Sequence, residues 1–210
     1  RCTCAGDPCD LANAHWLCTD MQQSSATNAG PQHLTATNAV PLKRLTATLR
    51  GGSQIVWFNA ADEKIAMAAC ALDDDVEPVG SVVWPAGVAA ISALERLSNA
   101  RRGGLRGLSI LELGAGTGLT ALAAAKFGAR VVATDASELC LRLLRAARDA
   151  NPDLCFAVAK LDFSDAAAVD KLVRARGPFD LVVACDTFYS TTLAKATACA
   201  IAQAKATARL

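Results

Sequence analysis

The sequence has few aromatic residues, almost no net charge and no long uninterrupted apolar run. Phe, Trp and Tyr make up 5% of the 210 residues, so a core must be built mainly from Ala, Val and Leu. The formal net charge is +1 without a stripe of Lys or Arg, which argues against a nucleic-acid partner. The chain shows neither a signal-peptide pattern nor a stretch of about 20 apolar residues free of Pro and charge. We therefore expect no membrane partner and an intracellular location, in the cytoplasm and also compatible with the nucleus.

Cysteine is abundant, but its distribution predicts neither disulfides nor a metal site. The nine cysteines are an odd number, and five are scattered through apolar segments as reduced core residues usually are. These five are Cys70, Cys140, Cys155, Cys185 and Cys199. The other four stand near His15 without the paired C-x₂-C spacing that is typical of zinc sites. They are Cys2, Cys4, Cys9 and Cys18. We predict that no metal is bound.

The chain divides into a leader and one domain. Residues 1–42 show no sustained periodicity, and the segment Ala26–Pro31 recurs loosely as Ala36–Pro41. We therefore expect a low-complexity, poorly ordered leader there. The remainder, residues 43–210, has the length of a single domain.

A β-hairpin is predicted at the start of this domain. Apolar and polar residues alternate from Leu45 onward, a Gly-Gly pair follows, and the apolar run Gln54–Phe58 suits a partner strand. The next segment, Ala60–Leu72, fits a helix or a strand. The acidic run Asp73–Asp75 is expected to be a solvated loop.

The most informative stretch is Ile110–Leu119, in which a short apolar run is followed by alternating glycines. It predicts a strand, a tight turn and the start of a helix. Glycine is needed where the backbone adopts positive φ or approaches a ligand closely, so Gly114, Gly116 and Gly118 predict a nucleotide-like ligand over the turn. Asp135 follows the next apolar run, about 20 residues on, where the second strand of a βαβ unit offers an acid to ribose hydroxyls.

The glycine spacing and Glu112 argue against a dinucleotide. The dinucleotide fingerprint is G-x-G-x-x-G, whereas the third glycine here comes one residue earlier and Leu119 stands in its place. Glu112 would repel a pyrophosphate, since like charges about 4 Å apart in a partly buried site cost several kcal/mol. S-adenosylmethionine has an adenine, a ribose, an ammonium and a sulfonium but no phosphate, so an acid on each adjoining strand suits it. The alternative is an ordinary glycine turn in another α/β protein.

Strands and helices alternate through the rest of the chain. The predicted strands are Leu108–Leu113, Arg130–Thr134, Leu154–Leu161 and Phe179–Cys185. The predicted helices begin at Pro85 and span Leu119–Phe127, Ser137–Ala150, Asp165–Arg176 and Thr191–Ala204. This alternation predicts an α/β fold with a doubly wound, mostly parallel, Rossmann-like sheet.

Further candidate residues stand at the ends of predicted strands. Asp162 can accept a hydrogen bond from an adenine amino group and Phe163 can pack on the base, although a loop acid beside a core phenylalanine is an equal alternative. Asp186 and Tyr189 follow the fourth strand, where open α/β sheets bind ligands. Trp84 precedes a helix, where its indole either lies on the cofactor or caps the core. The residues alone favour the core.

These motifs resemble the seven-β-strand methyltransferases, and specifically the family-16 protein-lysine methyltransferases, over about half of the chain. The matching parts are Val83–Ala86, Leu111–Leu119, Thr134–Asp135, Leu161–Phe163 and Asp186–Tyr189. The resemblance implies cofactor contacts by Trp84, the backbone of Gly114, Ala115 and Gly116, Asp135, Asp162, Phe163 and the backbone of Cys185. It also implies that Asp186 and Tyr189 border the substrate lysine.

The implied activity is S-adenosylmethionine-dependent methylation of a lysine side chain in a protein partner. Since the fold does not determine the acceptor, a small molecule or another side chain is one alternative, and a non-catalytic relic that acts as a binding module is another. Family members continue through three further strands beyond the position of Leu210. We therefore expect a sheet that is incomplete on its C-terminal side, with strand four as an exposed edge that favours self-association and with little activity of this chain alone.

Overall fold

The structure is a computed structural model that describes residues 35–49, 52–73 and 79–206. Its strands are β1 (Leu42–Thr48), β2 (Gln54–Ala60), β3 (Ser109–Leu113), β4 (Arg130–Asp135), β5 (Phe156–Lys160) and β6 (Leu181–Ala184). Its helices are α1 (Ala36–Ala39), α2 (Glu63–Leu72), α3 (Pro85–Ala100), α4 (Leu119–Lys126), α5 (Glu138–Ala150), α6 (Ala166–Arg176) and α7 (Thr191–Ala206). A 3-10 helix, Val79–Ser81, precedes α3. Within the described ranges, no helix is both long and apolar enough to cross a membrane.

Four parallel strands form the central sheet in the order β5-β4-β3-β6. The chain moves outward from β3 through β4 to β5, and then returns to pair β6 with the other side of β3. This reversal places a topological switch point between β3 and β6, where the carboxyl ends of parallel strands leave a crevice. The prediction of a doubly wound α/β sheet is confirmed.

The two faces of the sheet are covered by different helices. One core cluster contains the apolar residues of α4, α5 and β2, and the other contains those of α6 and α7. Every residue from Leu119 to Ala125 is buried, because α4 lies between the sheet and other elements. Helix α5 is amphipathic instead, with Leu141 and Leu144 in the first cluster and Arg145 exposed on its other face. Both faces of the sheet are therefore closed, and its carboxyl edge is the side on which a ligand can approach.

The predicted N-terminal hairpin is confirmed. Strands β1 and β2 pair antiparallel, with Leu45 opposite Trp57. Asn151, at the end of α5, fixes this hairpin to the domain: its amide nitrogen donates to the carbonyl of Val56 at 2.7 Å and its amide oxygen accepts from the Val56 N–H at 3.1 Å. The ambiguous segment after the hairpin is helix α2, since the Asp62 carboxylate caps its first turn.

Two expectations for the N-terminal part need correction. The poorly ordered leader does not extend to residue 42, because residues 36–39 form α1 and Val40 is fully buried. Arg142 of α5 donates to the carbonyls of Thr37 and Val40 at 2.8 and 2.7 Å. Asp73 is not simply solvated, since it accepts hydrogen bonds from the N–H groups of Ala36 and Thr37, and these bonds lower its pKa. The sequence pattern could not reveal these contacts, because they join segments that are far apart in the chain.

The cysteine prediction is only partly confirmed. Cys70 and Cys140 are buried, whereas Cys199 is exposed. Residues 1–34 of the expected leader lie outside the described residues, and they include the four N-terminal cysteines and His15.

Candidate active site

A cavity of about 520 Å³ lies at the carboxyl edge of the sheet, at the switch point between β3 and β6. It is lined by every residue predicted above to contact cofactor or acceptor, with the exception of Gly118. Four loops converge there because parallel strands end at the same edge: the glycine turn after β3 and the loops after β4, β5 and β6. The 3-10 helix and the start of α3 also line the cavity and face these loops.

The glycine turn is held in a conformation that side chains oppose. Gly114, Gly116 and Gly118 have φ values of +62°, +54° and +75°. A Cβ at Gly116 would lie 2.6 Å from the carbonyl oxygen of Gly80, so the backbones of the turn and the 3-10 helix are in close contact. A Cβ at Gly118 would lie 2.5 Å from the Cδ2 atom of Leu144. The absence of a side chain at Gly118 therefore lets Leu144 of α5 pack against the turn, and the cofactor contact of Gly118 stays a prediction.

Asp135 is oriented by backbone hydrogen bonds. Its Oδ2 atom accepts from the N–H of Gly116 at 2.9 Å and its Oδ1 atom accepts from the N–H of Ser137 at 3.0 Å. Each carboxylate oxygen can accept a second hydrogen bond, so these contacts leave capacity for a pair of ligand hydroxyls. The bond to Gly116 also connects the ends of β3 and β4 across the turn.

Glu112 is a buried acid at the end of β3. Its side chain is 3% exposed, and its Oε2 atom has no hydrogen-bond partner among the described residues. Burial is the main cause that raises its pKa to about 8, with a smaller contribution from the charge of Asp135, while hydrogen bonds from the N–H of Ala121 and the hydroxyl of Thr120 act in the opposite direction. A cation bound nearby would favour the ionised form, whereas an anion would be repelled.

The loop after β5 carries Asp162 and Phe163, for which the sequence left two alternatives: contacts with adenine, or a loop acid beside a core phenylalanine. The exposed carboxylate of Asp162 accepts hydrogen bonds from the N–H and hydroxyl of Ser164, at 2.9 and 2.6 Å. The Phe163 ring is half-buried against the core cluster of α6 and α7. Both residues also line the cavity, so a loop acid and a core ring form one of its walls.

The loop after β6 forms the rim of the cavity together with α3. Asp186 has φ +56°, an uncommon conformation for a residue other than glycine, and its Oδ2 atom accepts from the N–H of Ala86 at 3.0 Å. Tyr189 is 67% exposed. Trp84 is 48% exposed and its indole N–H donates to the carbonyl of Val79 at 2.5 Å. The core position favoured for Trp84 by the sequence is therefore wrong, since the indole lies at the cavity rim.

Cys185 lines the cavity as predicted, but its thiol is not a ready nucleophile, because burial and the charge of Glu112 raise its pKa to about 11. Two further cavity residues, Thr120 and Thr187, were not identified from the sequence. Thr120 also lines the cavity, and the single hydrogen of its hydroxyl can be donated either to the carbonyl of Gly87, at 3.3 Å, or to Glu112. Thr187 is 5% exposed, and its hydroxyl oxygen has no partner among the described residues. Apart from its place inside the Asp186–Tyr189 motif, no sequence signal marked Thr187.

The fold matches that of a solved methyltransferase. The 16S rRNA N2 methyltransferase RsmC of T. thermophilus, in complex with AdoMet and guanosine, superposes with a TM-score of 0.55 and 23% identity. The match covers 77% of this chain and 38% of that one. At this identity the similarity establishes a common fold.

Curated relatives match parts of the chain. Protein-lysine methyltransferase METTL21E of Bos taurus is 31% identical over 121 residues, which cover 57% of this chain and 41% of that protein. A 2-keto-3-deoxy-L-fuconate dehydrogenase of Xanthomonas campestris is 44% identical over 84 residues, which cover 39% of this chain and 26% of that protein. The chain spans less than half the length of these relatives.

The family match is broader than either pairwise similarity. A family model described as lysine methyltransferase matches residues 68–204, which is more than half of the chain. The matched range contains the whole four-stranded sheet and every residue predicted to contact cofactor or acceptor. The chain therefore belongs to the lysine methyltransferase family.

Proposed function

We propose that this protein transfers a methyl group from S-adenosylmethionine to a lysine side chain of another protein. The observation that carries the proposal is the buried carboxyl group of Glu112 beside the glycine turn, whose Oε2 atom has no hydrogen-bond partner in the part of the chain that the structure describes. An unpaired buried acid is unfavourable in the free protein and becomes favourable beside a cation. S-adenosylmethionine carries two cationic groups and no phosphate, whereas a dinucleotide would bring a pyrophosphate to the same turn.

The cavity offers a contact for each part of this cofactor. We assign the ribose hydroxyls to Asp135, whose oxygens are already oriented by the backbone. The adenine is assigned to Asp162 and Phe163, which supply an acceptor for its amino group and a ring beside its face. The ammonium is assigned to the side of Glu112. Trp84 and the backbones of Gly114, Ala115, Gly116 and Cys185 complete the set of proposed contacts.

The proposed chemistry requires an uncharged amine in line with the methyl group. When bound, S-adenosylmethionine supplies an activated methyl group on a sulfonium. Only about 0.1% of an exposed lysine is uncharged at neutral pH, given its reference pKa of 10.4. Asp186 orients the amine and accepts or relays its proton, because a carboxylate oxygen can hold the N–H of Ala86 and a second donor together. Tyr189 borders the amine on the exposed side of the rim. The remaining contribution is positioning and exclusion of water.

A lysine acceptor is supported by two observations. The family model and METTL21E carry the description of lysine methyltransferases. The rim is also open and partly apolar, as a site for a side chain that protrudes from a large partner requires. A small molecule or another side chain is the alternative acceptor, and it predicts a different methylated product.

The similarity to a dehydrogenase motivates a competing ligand. Asp135 is also the residue type that a dinucleotide-binding fold offers to a ribose. Against this, Glu112 would face the pyrophosphate, and Gly116 is in close contact with Gly80 on one side of the turn. We therefore expect S-adenosylmethionine and S-adenosylhomocysteine to bind, and NAD(H) not to bind.

The experiment that tests the proposal has two steps. Calorimetric titration of the protein with S-adenosylhomocysteine and with NADH tests the ligand class, and heat from NADH alone would overturn the assignment. Incubation of the protein with methyl-labelled S-adenosylmethionine and a protein extract then tests the acceptor. Mass spectrometry should locate the label on lysine side chains, and label found on other residues or only on small molecules would contradict the lysine proposal.

A further inference from the structure

Ser164 lines the cavity, and the assignments above give it no role. Its hydroxyl donates to the Oδ1 atom of Asp162 at 2.6 Å, and its N–H donates to the same oxygen at 2.9 Å. Within the part of the chain that the structure describes, these are the two hydrogen bonds that the Asp162 carboxylate accepts. Both engage one oxygen, so the Oδ2 atom keeps its capacity to accept a hydrogen bond from a ligand.

The loop that carries Ser164 adjoins the acid that is assigned to the ribose. The N–H of Leu161 donates to the carbonyl of Asp135 at 2.9 Å, which joins the loops after β4 and β5. Asp162 is the next residue and lines the same cavity. Adenine is attached directly to the ribose, so an acid beside the ribose acceptor is well placed for the base.

The backbone of this loop is closed by its own hydrogen bonds. The N–H of Asp165 donates to the carbonyl of Asp162 at 3.1 Å, and the Asp165 carboxylate caps the start of α6. The Phe163 ring packs against the core cluster of α6 and α7. Ser164 therefore presents its hydroxyl to Asp162 from a fixed position.

The exposure of Asp162 explains why its carboxylate needs to be held. An exposed side chain that exchanges between rotamers must be ordered when a ligand binds, and this ordering weakens binding. The two hydrogen bonds from Ser164 order the carboxylate before the ligand arrives. An ionised carboxylate can only accept, which matches the exocyclic amino group of adenine.

We propose that Ser164 is a positioning residue for recognition of the cofactor base: it holds Oδ1 of Asp162 so that Oδ2 accepts from the adenine amino group. This inference rests on the proposed function, since it takes S-adenosylmethionine as the cofactor. Ser164 acts through Asp162 and does not itself contact the base. Its hydroxyl thus contributes to the preference for a base that carries an amino group.

The first test measures this preference by calorimetry. The probes are S-adenosylhomocysteine and its deamino analogue, in which hydrogen replaces the exocyclic amino group. The wild type should bind S-adenosylhomocysteine about tenfold more tightly than the analogue, because the amino group donates to a carboxylate. This ratio of affinities reports on the amino group alone.

A matched pair of variants then isolates the hydroxyl. Ser164→Thr and Ser164→Val have similar shapes and differ in the hydroxyl. The ratio should fall by about twofold to fivefold in Ser164→Val, which keeps the backbone hydrogen bond, and stay within about twofold of the wild type in Ser164→Thr. Ser190→Ala is a control, since the Ser190 hydroxyl also makes a local hydrogen bond, to the N–H of Leu193, but does not line the cavity. It should leave the ratio unchanged.

The second test asks whether Ser164 acts through Asp162. In Asp162→Ala the ratio should be close to one, and adding Ser164→Val should not change it further. Each ratio compares two ligands on one protein, so a partly unfolded preparation does not imitate the result. Ser164→Ala provides a second variant without the hydroxyl.

The outcomes separate this inference from the proposed function. Wild-type protein that binds no S-adenosylhomocysteine overturns both. Equal binding of the two probes by the wild type overturns the base contact of Asp162 and the role of Ser164, but not the cofactor. A ratio that stays at the wild-type value in Ser164→Val and Ser164→Ala overturns only the role of Ser164, as does a further change of the ratio when Ser164→Val is added to Asp162→Ala.

Discussion

The inner and outer ends of the cavity are built in different ways. At the inner end, Glu112 is 3% exposed and the Asp135 carboxylate accepts two backbone N–H groups. At the outer end, Trp84 and Tyr189 are 48% and 67% exposed. The inner end is therefore preorganised by the backbone, whereas the outer end presents side chains to solvent.

This difference indicates how the two substrates would be recognised. A small cofactor can be surrounded by atoms held by strands and turns, so its contacts can be preorganised. The lysine proposed as the acceptor would enter from solvent, and the protein that carries it would cover the rim. Asp186 connects the two ends, because it lies on the exposed loop and is fixed by the N–H of Ala86 at the start of α3.

The largest expected effect tests whether the inner end is electrostatically strained. The pKa of Glu112 is raised from 4.5 to about 8, so the neutral acid is favoured in the folded protein. The stability that this group contributes is fully present below about pH 4.5 and is lost as the pH rises to 8. Glu112→Gln should match the wild type at pH 4.5 and be more stable at pH 9, by up to about 5 kcal/mol at 1.36 kcal/mol per pKa unit. Urea unfolding at both pH values measures this.

Glu112→Gln also tests the inner end of the cavity through the pH dependence of ligand binding. The wild type should bind S-adenosylhomocysteine more tightly as the pH rises toward 8, because the carboxylate forms beside the ammonium. Glu112→Gln should bind it more weakly and with little dependence on pH over this range. An identical pH dependence of binding in both proteins would show that Glu112 does not contact the ammonium group.

A second prediction breaks the backbone contact at the glycine turn. Alanine at Gly116 combines a left-handed backbone with a Cβ that would lie 2.6 Å from the Gly80 carbonyl. The expected loss of unfolding free energy is about 2–5 kcal/mol. Gly52 is a matched control, since it has φ +82° with nothing within 4 Å of the added Cβ. Gly52→Ala should cost about 1–2 kcal/mol, and equal losses in the two variants would show that the contact with Gly80 is unimportant.

A third prediction concerns affinity at the inner end. Asp135→Ala removes the proposed ribose acceptor and should weaken S-adenosylhomocysteine binding by about 2–4 kcal/mol. Asp165 is a suitable control, because its carboxylate also accepts two backbone N–H groups, at the start of α6, but does not line the cavity. Asp165→Ala should cost about 1 kcal/mol of stability and leave the affinity unchanged. Unchanged affinity in Asp135→Ala, measured by calorimetry, would refute the ribose assignment.

The smallest predicted effect belongs to the outer end. Asp186→Asn keeps an oxygen for the N–H of Ala86 but removes the charge proposed to serve the amine. Methyl transfer to lysine should fall by about tenfold or more, while the affinity for S-adenosylhomocysteine changes by less than about twofold. Initial rates and calorimetry on the same preparation measure the two quantities. A parallel fall in both would show that the two ends are not functionally separate.

Local patterns were reliable where local interactions decide the structure. The strands β3 and β4 have apolar centres, and the turn between β3 and α4 requires glycine, so their positions were predicted to within one or two residues. Helices α5 and α6 begin after Ser137 and Asp165, whose side chains cap them, and those boundaries were also predicted closely.

The errors came from contacts between distant segments. Trp84 was expected in the core because it is a large apolar residue, but its indole N–H bonds to Val79 at the rim. The sequence also did not reveal that Leu144 of α5 occupies the space where a side chain at Gly118 would lie. The apparent leader up to residue 42 contains Val40, which is buried only because α5 and α2 lie beside it.

The amino-acid sequence alone determined the fold class, the order of strands and helices and the acids beside the glycine turn, because these depend on periodicity, turn chemistry and spacing along the chain. The tertiary structure decided which residues share the cavity. It joined β3 to β6, which brought Thr187 next to Gly114, and it buried the Oε2 atom of Glu112 with no hydrogen-bond partner among the described residues. Burial and pKa depend on what packs around a group, and the packing of segments that are far apart in the chain is not encoded in any single stretch of it.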